Sequence, residues 1–191
     1  MSILFVGKAE AEMDHYTWLN LLFENLEQYG QEGRATVTYF KTQRTKIRFK
    51  ETKPSIGAWW TIGRNINLNT RYYSYENSLD NTRVFTLLIH EARHLQQGFF
   101  TALSVYGELD AWQLEWSIYY RKHGRYPKKS IEELMNLQLG WDRDMLRRAV
   151  ALMQDYASKD YRADLLPYYP LGKEIAYRLF KKIPDTIMQS A

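Results

Sequence analysis

Hydrophobic positions recur along this chain with two different periods, and the change from one to the other separates its elements. In "DHYTWLNLLFENLEQY", residues 14–29, Tyr16, Leu19, Leu22, Phe23 and Leu26 fall at helical spacing, with Asp14 placed to cap the start and Gly30 to stop it. The next two stretches, "RATVTYFKTQ" (34–43) and "KIRFKETK" (46–53), are β-branched and alternating, and predict an antiparallel pair of strands that ends at Pro54. "WWTIGRNINLNT" (59–70) alternates again: Trp60, Ile62, Ile66 and Leu68 would face a core, and Thr61, Gly63, Asn65 and Asn67 would face away. That outer side is polar but nearly uncharged, as suits a strand whose free edge is used.

From about Leu79 to Gln97 the period becomes helical, and Val84, Phe85, Leu87, Leu88 and Ile89 make the helix apolar over most of its circumference, the mark of a central buried helix. Asn77 or Ser78 is the expected cap and Gly98 the expected stop. Further helices are predicted over 107–122, over 130–156 with a break at Gly140, and over 171–182 before Pro184, with "LLPYYP" as a loop. No repeat or linker divides the chain, so residues 1–191 are expected to form one domain. One helix, three strands and then only helices predict an α+β fold, with a small antiparallel sheet packed on a mostly helical body.

Composition narrows the function classes. With 45% hydrophobic residues and 15 tyrosines the chain can bury a core, while 25% charged residues and the lack of any apolar run near the roughly 20 residues of a membrane span predict a soluble protein. The N-terminus has neither a basic region nor a cleavage site, so a cytoplasmic location is expected. A net charge of +4 and one basic stretch, "RKHGRYPKK", with no accompanying motif give no reason to expect nucleic acid as a partner. Zero cysteines exclude disulfides and thiolate metal sites, so a metal would need His, Asp and Glu.

Those residue types meet in "LLIHEARHLQQG", residues 87–98. His90 and His94 stand four apart, about 40° around a helix and one turn along it, so both imidazoles can reach one ion. Glu91 is next around the helix, where a carboxylate can take a proton from an activated water. Three ionisable groups on the most apolar helix of the chain are costly to bury unless a ligand compensates them. A catalytic zinc needs a third protein ligand. Fourteen residues after His94, "GELDA" offers Glu108 as the preferred candidate and Asp110 as the alternative, with His123 a poorer one. Gly107 and Ala111 are small enough for the two helices to approach closely. Gln97 is expected to face solvent, and Tyr106, Tyr119 and His123, though placed where an oxyanion-stabilising group is sought, are expected to pack.

"HEARH" at 90–94 followed by "ELDA" at 108–111 resembles the gluzincin-type zincin metallopeptidases, particularly small bacterial and archaeal forms with a downstream Glu-x-x-Ala. The resemblance spans about Trp59 to Trp116, roughly a third of the chain. It implies a zincin-like fold, His90, His94 and Glu108 as zinc ligands, Glu91 as general base, and a strand that carries extended peptide by edge pairing. The chain departs from the pattern at Trp112, where several relatives have Asp or Asn supporting a histidine ligand; Asp110 or Glu115 is then the candidate for that support. The function expected is zinc-dependent hydrolysis of a peptide or protein substrate. The alternative is a metal-binding scaffold of the same fold that acts as a regulatory or protein-binding module without peptidase activity.

Overall fold

The computed structural model describes residues 13–180. Helix α1 (His15–Glu27) is followed by α2 (Gly30–Gln43), strands β1 (Lys46–Lys50), β2 (Ala58–Trp60) and β3 (Asn65–Asn69), then helices α3 (Tyr75–Ser78), α4 (Thr82–Gln97), α5 (Phe99–Ala102), α6 (Val105–His123), α7 (Lys129–Met135), α8 (Arg143–Ala157) and α9 (Leu171–Phe180). The class is α+β and mostly helical, as expected. The expected positions 181, 182 and Pro184 lie outside the described residues.

The alternating stretch 34–43 is helical rather than a strand. Its Gly33, Thr36, Val37 and Phe40 share one face and are all buried, so tertiary packing overrides the β-branched composition. Gly33 is needed at the crossing, because a Cβ there would sit 2.0 Å from the Leu26 carbonyl oxygen of α1. The sheet consequently lacks the strand partner expected for β1 and is mixed rather than antiparallel, with order β1-β3-β2. β1 runs parallel to β3, Ile47 opposite Ile66, and β2 runs antiparallel to it, Trp60 opposite Ile66.

The single strand expected over 59–70 is a hairpin. Its turn uses Arg64 in the left-handed region (φ 56°), and the Thr61 hydroxyl accepts from the Asn65 amide at 3.3 Å. Ile62, expected in the core, is consequently carried to the turn and is 78% exposed. Ile66 and Leu68 are fully buried as expected. Asn67, in the central strand, and Asn69 are buried too; the loop before β2 closes over Asn69, whose Nδ2 donates to the carbonyls of Lys53 (3.1 Å) and Ile56 (2.7 Å).

α4 begins at Thr82 with Asn81 as its cap, not at Leu79 with Asn77 or Ser78. Those two residues belong to the separate turn α3, where the Ser78 hydroxyl accepts from the Trp18 indole at 2.9 Å. The break expected at Gly140 lies between α7 and α8, and Gly98 ends α4. Buried side chains form two groups. One joins the sheet to α1, α2 and α4 through Trp18, Phe40, Ile66 and Leu88; the other joins α6, α7 and α8 through Leu109, Trp116, Leu134 and Met153. α4 and α6 lie along the seam between them. The basic stretch is tied down in ion pairs, Arg121 with Glu32 and Lys128 with Asp155. Among the described residues no helix is long and apolar enough to cross a membrane.

Leu88 is fully buried on the sheet side of α4. Leu88→Ala is expected to lower unfolding free energy by about 2–5 kcal/mol in urea denaturation, through lost transfer energy and the cavity left behind.

Candidate metal centre

α4 turns one face toward α6, and along it His90, Glu91 and His94 are all buried. α6 meets that face because its first turn is unusually close to α5. Ser104 caps it by accepting from the Gly107 amide at 3.0 Å, and a Cβ on Gly107 would lie 2.0 Å from the Thr101 carbonyl oxygen. The next residue, Glu108, is thereby delivered to the histidines.

Nε2 of His90 and Nε2 of His94 are 3.0 Å apart, and Glu108 brings Oε1 to 3.5 Å from His94 and Oε2 to 4.0 Å from His90. Two donors each about 2.0–2.1 Å from a tetrahedral zinc stand about 3.3 Å apart. The three side chains thus converge closely enough for one ion to take a ligand atom from each, with Glu108 moving slightly toward His90.

The atoms facing away from this point are held. His94 Nδ1 lies 3.2 Å from Gln97 Oε1, and the Gln97 amide donates to the Gly107 carbonyl (2.9 Å) and Asp110 (2.6 Å). Asp110 is clasped by Arg93, with Nε to Oδ2 at 2.6 Å. His90 Nδ1 lies 2.8 Å from Glu115 Oε2, a close charge contact whose angle falls short of a good hydrogen bond. Glu115 in turn meets Arg83 Nη1 at 2.5 Å. The Tyr161 hydroxyl donates to Glu108 Oε2 and accepts from the Trp112 indole at 2.9 Å. Fixing the outer nitrogens of metal-binding histidines in this way sets ring orientation and tautomer.

The electrostatics carry an unbalanced negative charge. Burial opposes ionisation of His90, but the Glu115 carboxylate, then Glu91 and Glu108, outweigh it and raise its pKa to about 9. Burial pushes His94 the other way, to about 4, against the pull of Glu108. Glu91 is raised to about 7, first by burial and then by Glu108 and Glu115, against the opposing charge of His90. Glu115 is lowered: burial works against its charge, and Arg83 and His90 outweigh burial. At neutral pH the raised pKa keeps His90 protonated, so His90 and Arg83 are the two cations set against the carboxylates of Glu91, Glu108 and Glu115. A metal ion held by the imidazoles would take the place of the His90 proton in that balance.

Of the residues singled out from sequence, His90, His94 and Glu108 come together, and Glu91 shares their cleft. Asp110 does not join them, being committed to Arg93 and Gln97. Gln97, expected to face solvent, points into the site because its amide bridges α4 and α6. Tyr106 stacks on Trp141 at 4.0 Å, and Tyr119 lies against His123 at 4.3 Å, both away from the cleft lining. Tyr161 was missed; it belongs to a loop 53 residues from Glu108, with no motif around it. The place of Glu115 was readable in part, since it lies seven residues, two helical turns, after Glu108 on α6.

The cleft holds about 1280 Å³ and is walled by β2, α4, α6 and the segment around Tyr161. Set against models of known families, curated proteins and solved structures, the chain matches none.

The chain is expected to bind one zinc per molecule, read by elemental analysis, and to gain about 2.7 kcal/mol of stability at zinc one hundred times its Kd. Glu108→Ala should abolish both. Gly107→Ala should cost about 1–3 kcal/mol in unfolding free energy by overpacking. It should also weaken zinc binding measured by competition with a chelator, since it lifts Glu108 away from the histidines.

Proposed function

We propose that the chain is a zinc-dependent peptidase of the zincin type. The observation that carries this reading is the convergence of His90, His94 and Glu108 with a buried carboxylate, Glu91, beside them in a cleft large enough for a peptide. Bound at those three side chains, zinc would supply a Lewis acid for a water molecule and for the carbonyl under attack.

The chain's own residues supply the rest. Glu91 has a pKa near neutrality in the absence of metal, and it takes the proton released as water adds to the carbonyl carbon. The same carboxyl then gives that proton to the leaving amine as the C–N bond breaks, so it ends ionised as it began. The Tyr161 hydroxyl, at the inner wall of the cleft, spends its one proton on Glu108 Oε2 and so orients that carboxylate; burial and Glu108 hold its pKa well above the ordinary tyrosine value, so it remains a donor. Trp112 fixes that hydroxyl from behind.

β2 supplies the peptide ledge. It stands at the edge of the sheet, and its Gly57, Trp59 and Thr61 backbone groups pair with β3. The backbone groups of Ala58 and the carbonyl of Trp60 alternate to the open side, where an extended chain can add as another strand. The Trp60 amide also lowers the pKa of Glu91, which places this strand beside the base. Among the described residues, the segment around Tyr161 forms a wall of the cleft.

Glu91→Gln is expected to retain zinc and lose peptide hydrolysis by about 10²–10⁴-fold. A variant that cleaves at the wild-type rate would falsify the assignment of the base. Tyr161→Phe should weaken zinc binding by about 10–100-fold in competition with a chelator, because it removes the donor that orients Glu108.

A further inference from the structure

Arg83 lies on the same face of α4 as the metal centre, seven residues before His90 and so about 10 Å along the helix. Its Nη1 reaches Glu115 at 2.5 Å and the Thr86 hydroxyl at 3.4 Å, and the guanidinium lies over the Trp116 ring at 4.4 Å. Nε and Nη2 have no hydrogen-bond partner among the described residues, and the side chain, 31% exposed, opens into the cleft. A guanidinium presents its donors as a fixed fork matched to a carboxylate, and here most of that fork is unused. Tyr73, Tyr156 and Lys53 line the same cleft.

The direction of β2 says which end of a peptide arrives there. Gly57, just before the strand, packs against the start of this face: a Cβ on it would lie 3.0 Å from Leu87 Cδ1 and 3.6 Å from the Tyr73 hydroxyl. Three residues later the Trp60 ring is 6.2 Å from the His94 ring. β2 thus runs alongside α4 in the same sense, from the Arg83 end to the His94 end. A peptide paired antiparallel to its open edge runs the other way, and its C-terminal part leads from the metal centre toward Arg83.

We propose that Arg83 binds the free C-terminal carboxylate of the substrate, so that the enzyme releases short C-terminal fragments instead of cutting within long chains. An extended peptide advances about 3.3 Å per residue, and Glu115 alone separates the guanidinium from His90 (2.5 Å to Arg83 Nη1, 2.8 Å to His90 Nδ1), so a carboxylate held there ends a fragment of one to three residues. The bond chemistry is that of the peptidase reading, on which this inference rests: water adds hydroxyl to the carbonyl carbon and a proton to the leaving nitrogen.

The test compares one N-acetylated hexapeptide of alanine and phenylalanine, made with a free C-terminal carboxylate and as its C-terminal amide, on the zinc-loaded full chain. The acid form is expected to be hydrolysed with kcat/KM at least about ten-fold higher, the loss associated with one charge-assisted hydrogen bond. Mass spectrometry should find the released fragment one to three residues long. Arg83→Gln, checked for zinc content, should bring the ratio near one; if it loses zinc, the wild-type pair still decides. Equal rates for the two forms, or a preference that survives Arg83→Gln, would overturn the role of Arg83 and leave the peptidase reading intact. Should neither form be cleaved, calorimetry of the same pair on zinc-loaded Glu91→Gln protein separates the two ideas. An acid form bound about ten-fold more tightly supports carboxylate recognition without peptidase activity, and equal or absent binding overturns carboxylate recognition as well.

Discussion

Where α6 comes down onto the α5 turn there is no room for a methyl group at Gly107, and the position of Glu108 follows from that contact. The histidines of α4 are buried whether or not a carboxylate reaches them; the closeness of the two helices turns a pair of imidazoles into a three-membered site. Gln97 reinforces the approach from inside, spanning from His94 to the Gly107 carbonyl and Asp110. Arg93 and Asp110 hold it from outside. Several of the polar groups at this seam therefore position one another across the two helices.

The seam is an expensive place for charge. Three carboxylates and two imidazoles sit where water is largely excluded, and desolvation is the largest influence on His90, Glu91, His94 and Glu115 alike. Arg83 relieves Glu115, and Glu115 in turn leans on His90, so a guanidinium two helical turns away conditions an imidazole at the centre. Such an arrangement is difficult to explain by packing alone, since apolar side chains of the same volume would fill the space at lower cost.

Much of this was legible in the residues because it is local. The spacing of His90 and His94, the adjacency of Glu91, and small residues around Glu108 are all read within a helix or across one helical connection. The errors were of another kind. Residues 34–43 carry a strand-like composition, yet Gly33, Val37 and Phe40 are claimed by α1 and α4, and no local pattern reveals a partner that distant. Losing that strand also changed the sheet from antiparallel to mixed. Tyr161 approaches Glu108 across 53 residues, and in a chain with 15 tyrosines nothing in its own neighbourhood distinguishes it. Gln97 was misplaced for a related reason: a last-turn residue usually meets solvent, but here α6 lies over the helix end.

The two groups of buried side chains meet along α4 and α6, with the candidate centre at their junction. On the proposed reading, the ion does more than chemistry. Held by two side chains from one half and one from the other, it acts as a rivet, and its binding energy is shared by both halves as resistance to local opening. The supply of metal would then set the lifetime of the molecule among cellular proteases together with its activity, and a chain deprived of zinc would be removed instead of persisting as an idle competitor for substrate.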